Sequence, residues 1–227
     1  ITYLSRVEPP VQYLSLAEPE LTDNGIMGAR QALRDNETTG RFLGHDYRLI
    51  ERVAEESGDL GALVDEALAA GERLLVADLR KDDLLAIVPK AEAIGAIVLS
   101  TQAPEDELRV EQCSPAVFLT NPSRAMKADA LAQFLIWKRW RNWFLIEGSH
   151  PADKAFADAV RRAATRFGAE IVAEKVYEDT GGARRTETGH VQVQSQMPVF
   201  TQEAPDHDVV IVADESGMAA ALGILRD

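Results

Sequence analysis

Short runs of apolar, β-favouring residues alternate with segments of helical period along the whole chain. Ile1 to Ser5 has the pattern of a strand and is followed by a loop rich in Glu and Pro, with Glu8-Pro9-Pro10 and Glu18-Pro19. A helix is predicted from near Leu21, with Ile26, Ala29 and Leu33 on one face, and Asn36 and Gly40 suit its termination. Tyr47 to Val53 predicts a second strand. Leu60, Val64 and Ala67 mark the next helix, with Gly71 just beyond its C-cap. Leu74 to Ala77 is a third strand, Leu84, Ile87 and Ala91 line the helix after it, and Ala96 to Leu99 is a fourth strand.

Ala116 to Leu119 predicts a fifth strand. Ser123 caps a helix whose apolar face carries Met126, Ala130, Phe134 and Trp137. Lys138, Arg139 and Arg141 at its end suit the negative pole of the helix dipole. Phe144 to Glu147 is a sixth strand, and Phe156, Val160, Ala163 and Phe167 form a helical stripe ended by Gly168. Ile171 to Val176 is a seventh strand. Val209 to Ala213 is an eighth, uninterrupted in its apolar character as a strand covered on both faces should be. Met218 to Asp227 carries a further helical pattern.

Alternation this regular specifies the α/β class, with doubly wound parallel sheets and right-handed crossovers. Residues 1–120 make a first lobe with five strands. Residues 121–227 make a second with three, which is expected to be partial. The turn Thr120-Asn121-Pro122-Ser123 is the expected crossing point.

Acidic residues outnumber basic ones 37 to 24, for a formal charge of −13. Such a field repels nucleic acid and anionic membrane, and nucleic-acid binding drops out of the candidate functions. Cys113 is the single cysteine, which rules out an intrachain disulfide, and it reads as a small residue near a strand start. No run approaches the roughly 18 apolar residues of a membrane span. Opening on a core strand, with no basic and apolar leader ahead of it, is what a processed export product looks like.

Nucleotide motifs are missing. Arg6-Val7-Glu8-Pro9-Pro10 stands where a G-x-G-x-x-G turn would follow the first strand, and no G-x-x-x-x-G-K-[ST] occurs. No G-x-S-x-G, H-E-x-x-H or C-x-x-C occurs either, so neither a cofactor nor a catalytic residue is expected. His45, His150, His190 and His207 are scattered, and Asp206-His207-Asp208 resembles a metal cluster only in composition, since it precedes a strand. Glu105-Asp106-Glu107 reads as a solvated loop and Gly181-Gly182-Ala183-Arg184-Arg185 as a basic surface loop. Trp137, Trp140 and Trp143 are expected to pack between a helix and the sixth strand.

Ligands of open α/β sheets bind at the carboxyl ends of the strands. Those ends supply Arg6 and Glu8, then Asp78, Ser100, Thr101, Thr120 and Asn121, and in the second lobe Ser149, His150, Asp214 and Glu215. This set of hydroxyls, amides and carboxylates suits a small polar ligand or the oxygen ligation of a cation.

The order of elements over residues 1–217 resembles the type I, branched-chain-amino-acid kind of periplasmic binding protein, the solute-binding component of an ABC transporter. The stretch from Glu20-Leu21-Thr22-Asp23-Asn24-Gly25-Ile26-Met27-Gly28 to Gly40-Arg41-Phe42 resembles a narrower subfamily encoded with PQQ-dependent alcohol dehydrogenase systems. Val117-Phe118-Leu119-Thr120-Asn121-Pro122-Ser123 and the segment from Asp208 to Gly217 are similar to it too. The resemblance implies a signal peptide in the precursor, export to the periplasm, and a partner permease and ATPase in the inner membrane. It also implies capture of a ligand between two lobes and a link to methanol or other alcohol oxidation. In amino-acid binders of this kind hydroxyls and an acidic residue grip the ligand, roles open here to Ser100, Thr101 and Asp214. Pro104 and the acidic loop after it make that pocket unusual for an amino acid, and the resemblance to the alcohol-oxidation subfamily implies a metal complex, such as a lanthanide, or a small oxidation-related metabolite as alternatives. The alternatives are a ligand-sensing receptor or regulatory domain on the same fold, which needs a helix-turn-helix or a membrane span, and a doubly wound enzyme, which needs a phosphate turn or an activated nucleophile.

Overall fold

The computed structural model of the chain describes residues 1–8, 23–177 and 204–216. Two compact units divide at Ser123 and Arg124. The first contains β1 (Thr2–Arg6), α1 (Ile26–Leu43), β2 (Ile50–Ala54), α2 (Leu60–Ala69), β3 (Leu74–Asp78), α3 (Lys81–Ala93), β4 (Ile97–Ser100), a short 3-10 turn (Asp106–Arg109) and β5 (Val117–Leu119). Its strands form one parallel sheet in the order β2-β1-β3-β4-β5. Leu4, Leu75, Ala77 and Val98 point from the sheet into a core closed by Leu60, Val64, Leu84, Ile87 and Ala91 of α2 and α3. The helical residues are the ones that the apolar spacing singled out.

The second unit contains α4 (Arg124–Trp137), β6 (Asn142–Gly148), α5 (Pro151–Phe167), β7 (Glu170–Tyr177) and β8 (Val209–Ala213). Its strands pair in parallel in the order β7-β6-β8. Trp143, Leu145 and Ile211 pack on Ala157, Val160 and Ala163 of α5 and on Ala128, Ala132 and Leu135 of α4. The α/β class with parallel sheets is therefore as the alternation predicts.

Several local expectations are corrected. Helix α1 continues past Asn36 and Gly40 to Leu43 and ends at Gly44, which adopts the left-handed conformation. Asn36 stays in the helix by donating its side-chain amide to the Ala32 carbonyl at 2.7 Å. Gly40 is needed for space, because a Cβ there would come within 2.6 Å of the Tyr47 ring. Tyr47 thus belongs to the connection, and β2 begins only at Ile50. The acidic run near Glu105 enters the 3-10 turn, where Glu107 accepts a bond from Lys81 Nζ.

The largest reversal concerns α4. Met126, Phe134 and Trp137 are 53%, 51% and 73% exposed, while the buried face is Arg124, Ala128, Ala132 and Leu135. The helix carries two apolar stripes, and the one with small residues lets α4 approach α5 closely. Asp129 on the same helix accepts from Arg162 at 2.6 Å and Arg166 at 2.5 Å, which ties the two helices together. Trp143 is buried and donates to the Trp140 carbonyl, but Trp137 and Trp140 do not pack as expected. Asp208 accepts the N–H groups of Arg141 and Asn142, both at 2.8 Å, and thereby holds β8 to the start of β6. The His190 position, the basic loop from Gly181 to Arg185 and the Met218 to Asp227 pattern lie outside the described residues.

Two expectations follow. Leu4→Ala should destabilise the chain by about 2–5 kcal/mol in chemical denaturation, whereas Phe134→Ala on the exposed stripe should change stability by only about 0.5 kcal/mol. Glu72 is held below its ordinary value of 4.5 by the Arg52 guanidinium and, to a lesser degree, by the Thr2 hydroxyl. A carboxylate with a depressed folded pKa contributes stability above its unfolded value and loses it as the pH falls through the folded one. Glu72→Gln should therefore be less stable at neutral pH and show a flatter acid limb below 4.5 in pH-dependent melting.

Candidate functional site

Parallel strands end at a common edge, and the chain decides where that edge opens. In the first unit it passes outward from β1 to β2, then returns across β1 to add β3, β4 and β5. The loops after β1 and β3 therefore leave in opposite directions, and a crevice forms between them. A cleft of about 170 Å³ lies there, and its polar lining includes Arg6, Glu8, Asp78, Arg80, Asp83 and Gln102.

The two guanidiniums in this lining are held very differently. Arg6 forms a bidentate pair with Asp83 at 2.7 and 2.9 Å. Its remaining terminal nitrogen donates to the carbonyls of Glu55, Glu56 and Gly58. Arg6 thus clamps the β2–α2 connection to the start of α3. Arg80 makes a bidentate pair with Glu8 at 2.9 and 2.8 Å, and Gln102 Nε2 donates to the same carboxylate at 3.0 Å. The Arg80 guanidinium holds the Glu8 carboxyl below its ordinary value, against the opposing effect of partial burial, with Gln102 contributing less. Asp78 accepts from the Tyr3 hydroxyl at 2.5 Å and from Thr101 Oγ1 at 3.2 Å. Burial first, and then Asp78, push the Tyr3 phenol well above its ordinary range.

The second unit repeats the arrangement at the neighbouring ends of β6 and β8. His150 is the N-cap of α5, its Nδ1 accepting from Ala152 N at 3.3 Å, and Pro151 opens the helix. Asp153, only 1% exposed, accepts from the backbone N–H groups of Glu215 and Ser216 at 2.7 and 2.8 Å and from Ser216 Oγ at 3.0 Å. A Cβ on Gly148 would collide with the Asp153 carboxylate, so glycine at the end of β6 is what admits this bridge. Glu215 in turn pairs with Arg124 at 2.5 Å, and Ser216 Oγ reaches Asp214 at 3.1 Å.

Of the residues expected at the strand ends, Arg6, Glu8 and Asp78 line the cleft, and Thr101 reaches it through Asp78. Ser100 is fully buried, and its Oγ has no hydrogen-bond partner among the described residues. Thr120 bonds the Ser100 carbonyl, and the Asn121 carbonyl accepts from Arg109, so both act within the frame one or two strands away. Ser149, His150, Asp214 and Glu215 gather at the β6 and β8 ends, with His150 engaged as a cap. Sequence reasoning missed Arg80, Gln102, Asp153 and Ser216. The signal for them is the point where strand order reverses, and this becomes visible only once the strands are ordered. Among the described residues no group of three or more His, Cys, Asp or Glu side chains is arranged to hold a metal ion.

A family profile described as periplasmic binding protein matches residues 23–197. No curated protein matches the chain. Among solved structures it is similar to a branched-chain amino acid ABC transporter periplasmic ligand-binding protein from Burkholderia xenovorans LB400, with TM-score 0.65, 14% identity and coverage of 99% of this chain and 64% of that one. It is also similar to an ABC transporter substrate-binding protein from Desulfitobacterium hafniense in complex with Leu, with TM-score 0.64, 19% identity and coverage of 99% and 64%. A leucine-, isoleucine-, valine-, threonine- and alanine-binding protein from Brucella ovis in a closed conformation gives TM-score 0.60, 17% identity and coverage of 97% and 58%. The chain thus spans about three-fifths of the length of these relatives, and at such identities the likeness is one of fold.

Asp153→Ala leaves the Glu215 and Ser216 N–H groups without their acceptor and should cost about 1–3 kcal/mol for each donor left buried and unpaired. Hydrogen exchange should show faster exchange at those two amides, and Gly148→Ala should reproduce the effect by displacing the Asp153 carboxylate.

Proposed function

Since the chain belongs to the periplasmic binding protein family, which matches it over residues 23–197, we propose that it is the periplasmic solute-binding component of an ABC transporter. In this reading it captures a small polar ligand at the carboxyl ends of its strands and delivers it to a membrane permease served by an ATPase. Among the described residues no helix is long and apolar enough to cross a membrane. The supporting observation is the cleft where strand order reverses between β1 and β3. It combines carboxylates, a guanidinium and a side-chain amide at one open edge, which suits hydrogen bonding to a small ligand of mixed charge. The named cargo of the similar structures, leucine and other small amino acids, is extended to this chain as the first ligand class. Binding proceeds without covalent chemistry, and affinity comes from burying the ligand against groups already held in place.

A second reading ties the cargo to PQQ-dependent alcohol oxidation. It rests on the segment from Glu20 to Phe42, whose composition goes beyond what forming α1 requires. Thermal melting with the common L-amino acids, alcohol-derived metabolites, PQQ and lanthanide ions separates the two. A specific ligand at about 100 times its Kd should stabilise the chain by roughly 2.7 kcal/mol. Stabilisation by an amino acid supports the first reading, and stabilisation only by PQQ, a lanthanide or an alcohol-derived metabolite supports the second. Flat melting curves with every compound would overturn the solute-binding role.

A further inference from the structure

The cleft contains one ion pair that is structural and one that is free to open. Arg6 is engaged through all three of its side-chain nitrogens and cannot turn to a ligand without releasing the β2–α2 connection. Arg80 is different: its side chain is 71% exposed, and Glu8 is its only hydrogen-bonding side-chain partner among the described residues. An ion pair this open adds little to stability, so a competing partner can displace it at small cost. The backbone on both sides of Arg80 is firmly placed. Leu79 is buried in the core, and α3 begins at Lys81 with no side-chain cap bond among the described residues. The positive end of α3 therefore lies beside the guanidinium, and both favour a carboxylate. Glu8, for its part, does not depend on Arg80 alone. Gln102 Nε2 holds its Oε1 at 3.0 Å and would keep the carboxylate in the cleft once Arg80 has moved away.

We infer that Arg80 and Glu8 exchange partners when a ligand binds, Arg80 taking a ligand carboxylate and Glu8 a ligand ammonium. This inference rests on the solute-binding reading and deepens it. The resting pair keeps both charges satisfied in the empty cleft and presents them together to a molecule that carries both. A ligand with only one of the two charges would break the pair and return a new ionic partner to only one of its halves, leaving Glu8 with Gln102 alone or Arg80 with solvent. The pair therefore selects zwitterions, and neither residue alone does so.

The test is isothermal titration calorimetry on the full chain, with L-leucine and its two isosteres, 4-methylpentanoate (no amine) and isopentylamine (no carboxylate). Wild type should bind leucine at least about tenfold more tightly than either isostere. Arg80→Gln should weaken leucine about tenfold or more and leave isopentylamine bound at least as tightly as in wild type, while Glu8→Gln should weaken leucine and leave 4-methylpentanoate bound at least as tightly. A purely structural role would weaken every probe alike. Both side chains are exposed, so the variants should melt as wild type does. Leucine binding within about twofold of wild type in both variants, or isosteres as tight as leucine, would overturn the exchange. Failure of leucine to bind would do so as well. If another compound of the melting panel stabilises the chain in that case, the solute-binding role stands without the exchange. If none does, both fall.

Discussion

Parallel pairing of β1 with β3, in register from Thr2 opposite Leu75 to Ser5 opposite Asp78, is the contact on which the first unit's edge depends. It ends β1 and β3 side by side and brings the loops after them within side-chain reach. Three side-chain contacts then cross the same seam: Tyr3 with Asp78, Arg6 with Asp83, and Glu8 with Arg80. Had β3 paired instead on the far side of β2, an extra strand spacing of about 4.8 Å would separate these partners. The crevice is thus a consequence of strand order, and the charged side chains occupy an opening that the backbone has already made.

The second unit solves the same problem with a different chemistry. Instead of ion pairs across the seam, a buried carboxylate, Asp153, gathers two backbone N–H groups and a hydroxyl from the end of β8. Glycine at position 148 leaves the room, and His150 and Pro151 set the helix start that places Asp153 one turn in. A buried anion that collects several donors is held rigidly, because releasing any one of them leaves an unpaired group in a poorly solvated place. The exposed Arg80–Glu8 pair has no such constraint, which is why two motifs with similar residue types differ so much in what they are free to do.

Charge follows the same division. The chain is acidic overall, yet at the two edges most carboxylates already have partners: Asp83 with Arg6, Glu8 with Arg80, Glu215 with Arg124. Net charge alone therefore describes solubility and the repulsion of polyanions, and it says little about what the edge would bind.

Much of the fold is legible in the pattern of apolar positions. Strand and helix alternation specified parallel sheets, and the spacing of Leu60, Val64, Leu84, Ile87 and Ala91 identified the helix faces that the core covers. These are local properties, fixed by the periods of the helix and the strand. Four things were decided only by tertiary structure. The choice between two apolar stripes on α4 went to the alanines, because close approach to α5 needs small side chains. Gly40, a helix end by its chemistry, became a gap for Tyr47. Arg6 and Arg80, indistinguishable in sequence, became a half-buried clamp and an open pair according to which carboxylates and carbonyls surround each. Asp153 and Gln102 reached the candidate site only because strand order brought distant loops to one edge. Residue types and their periods can be read along the chain; which of them meet depends on contacts between residues up to 94 positions apart, and no local pattern encodes those.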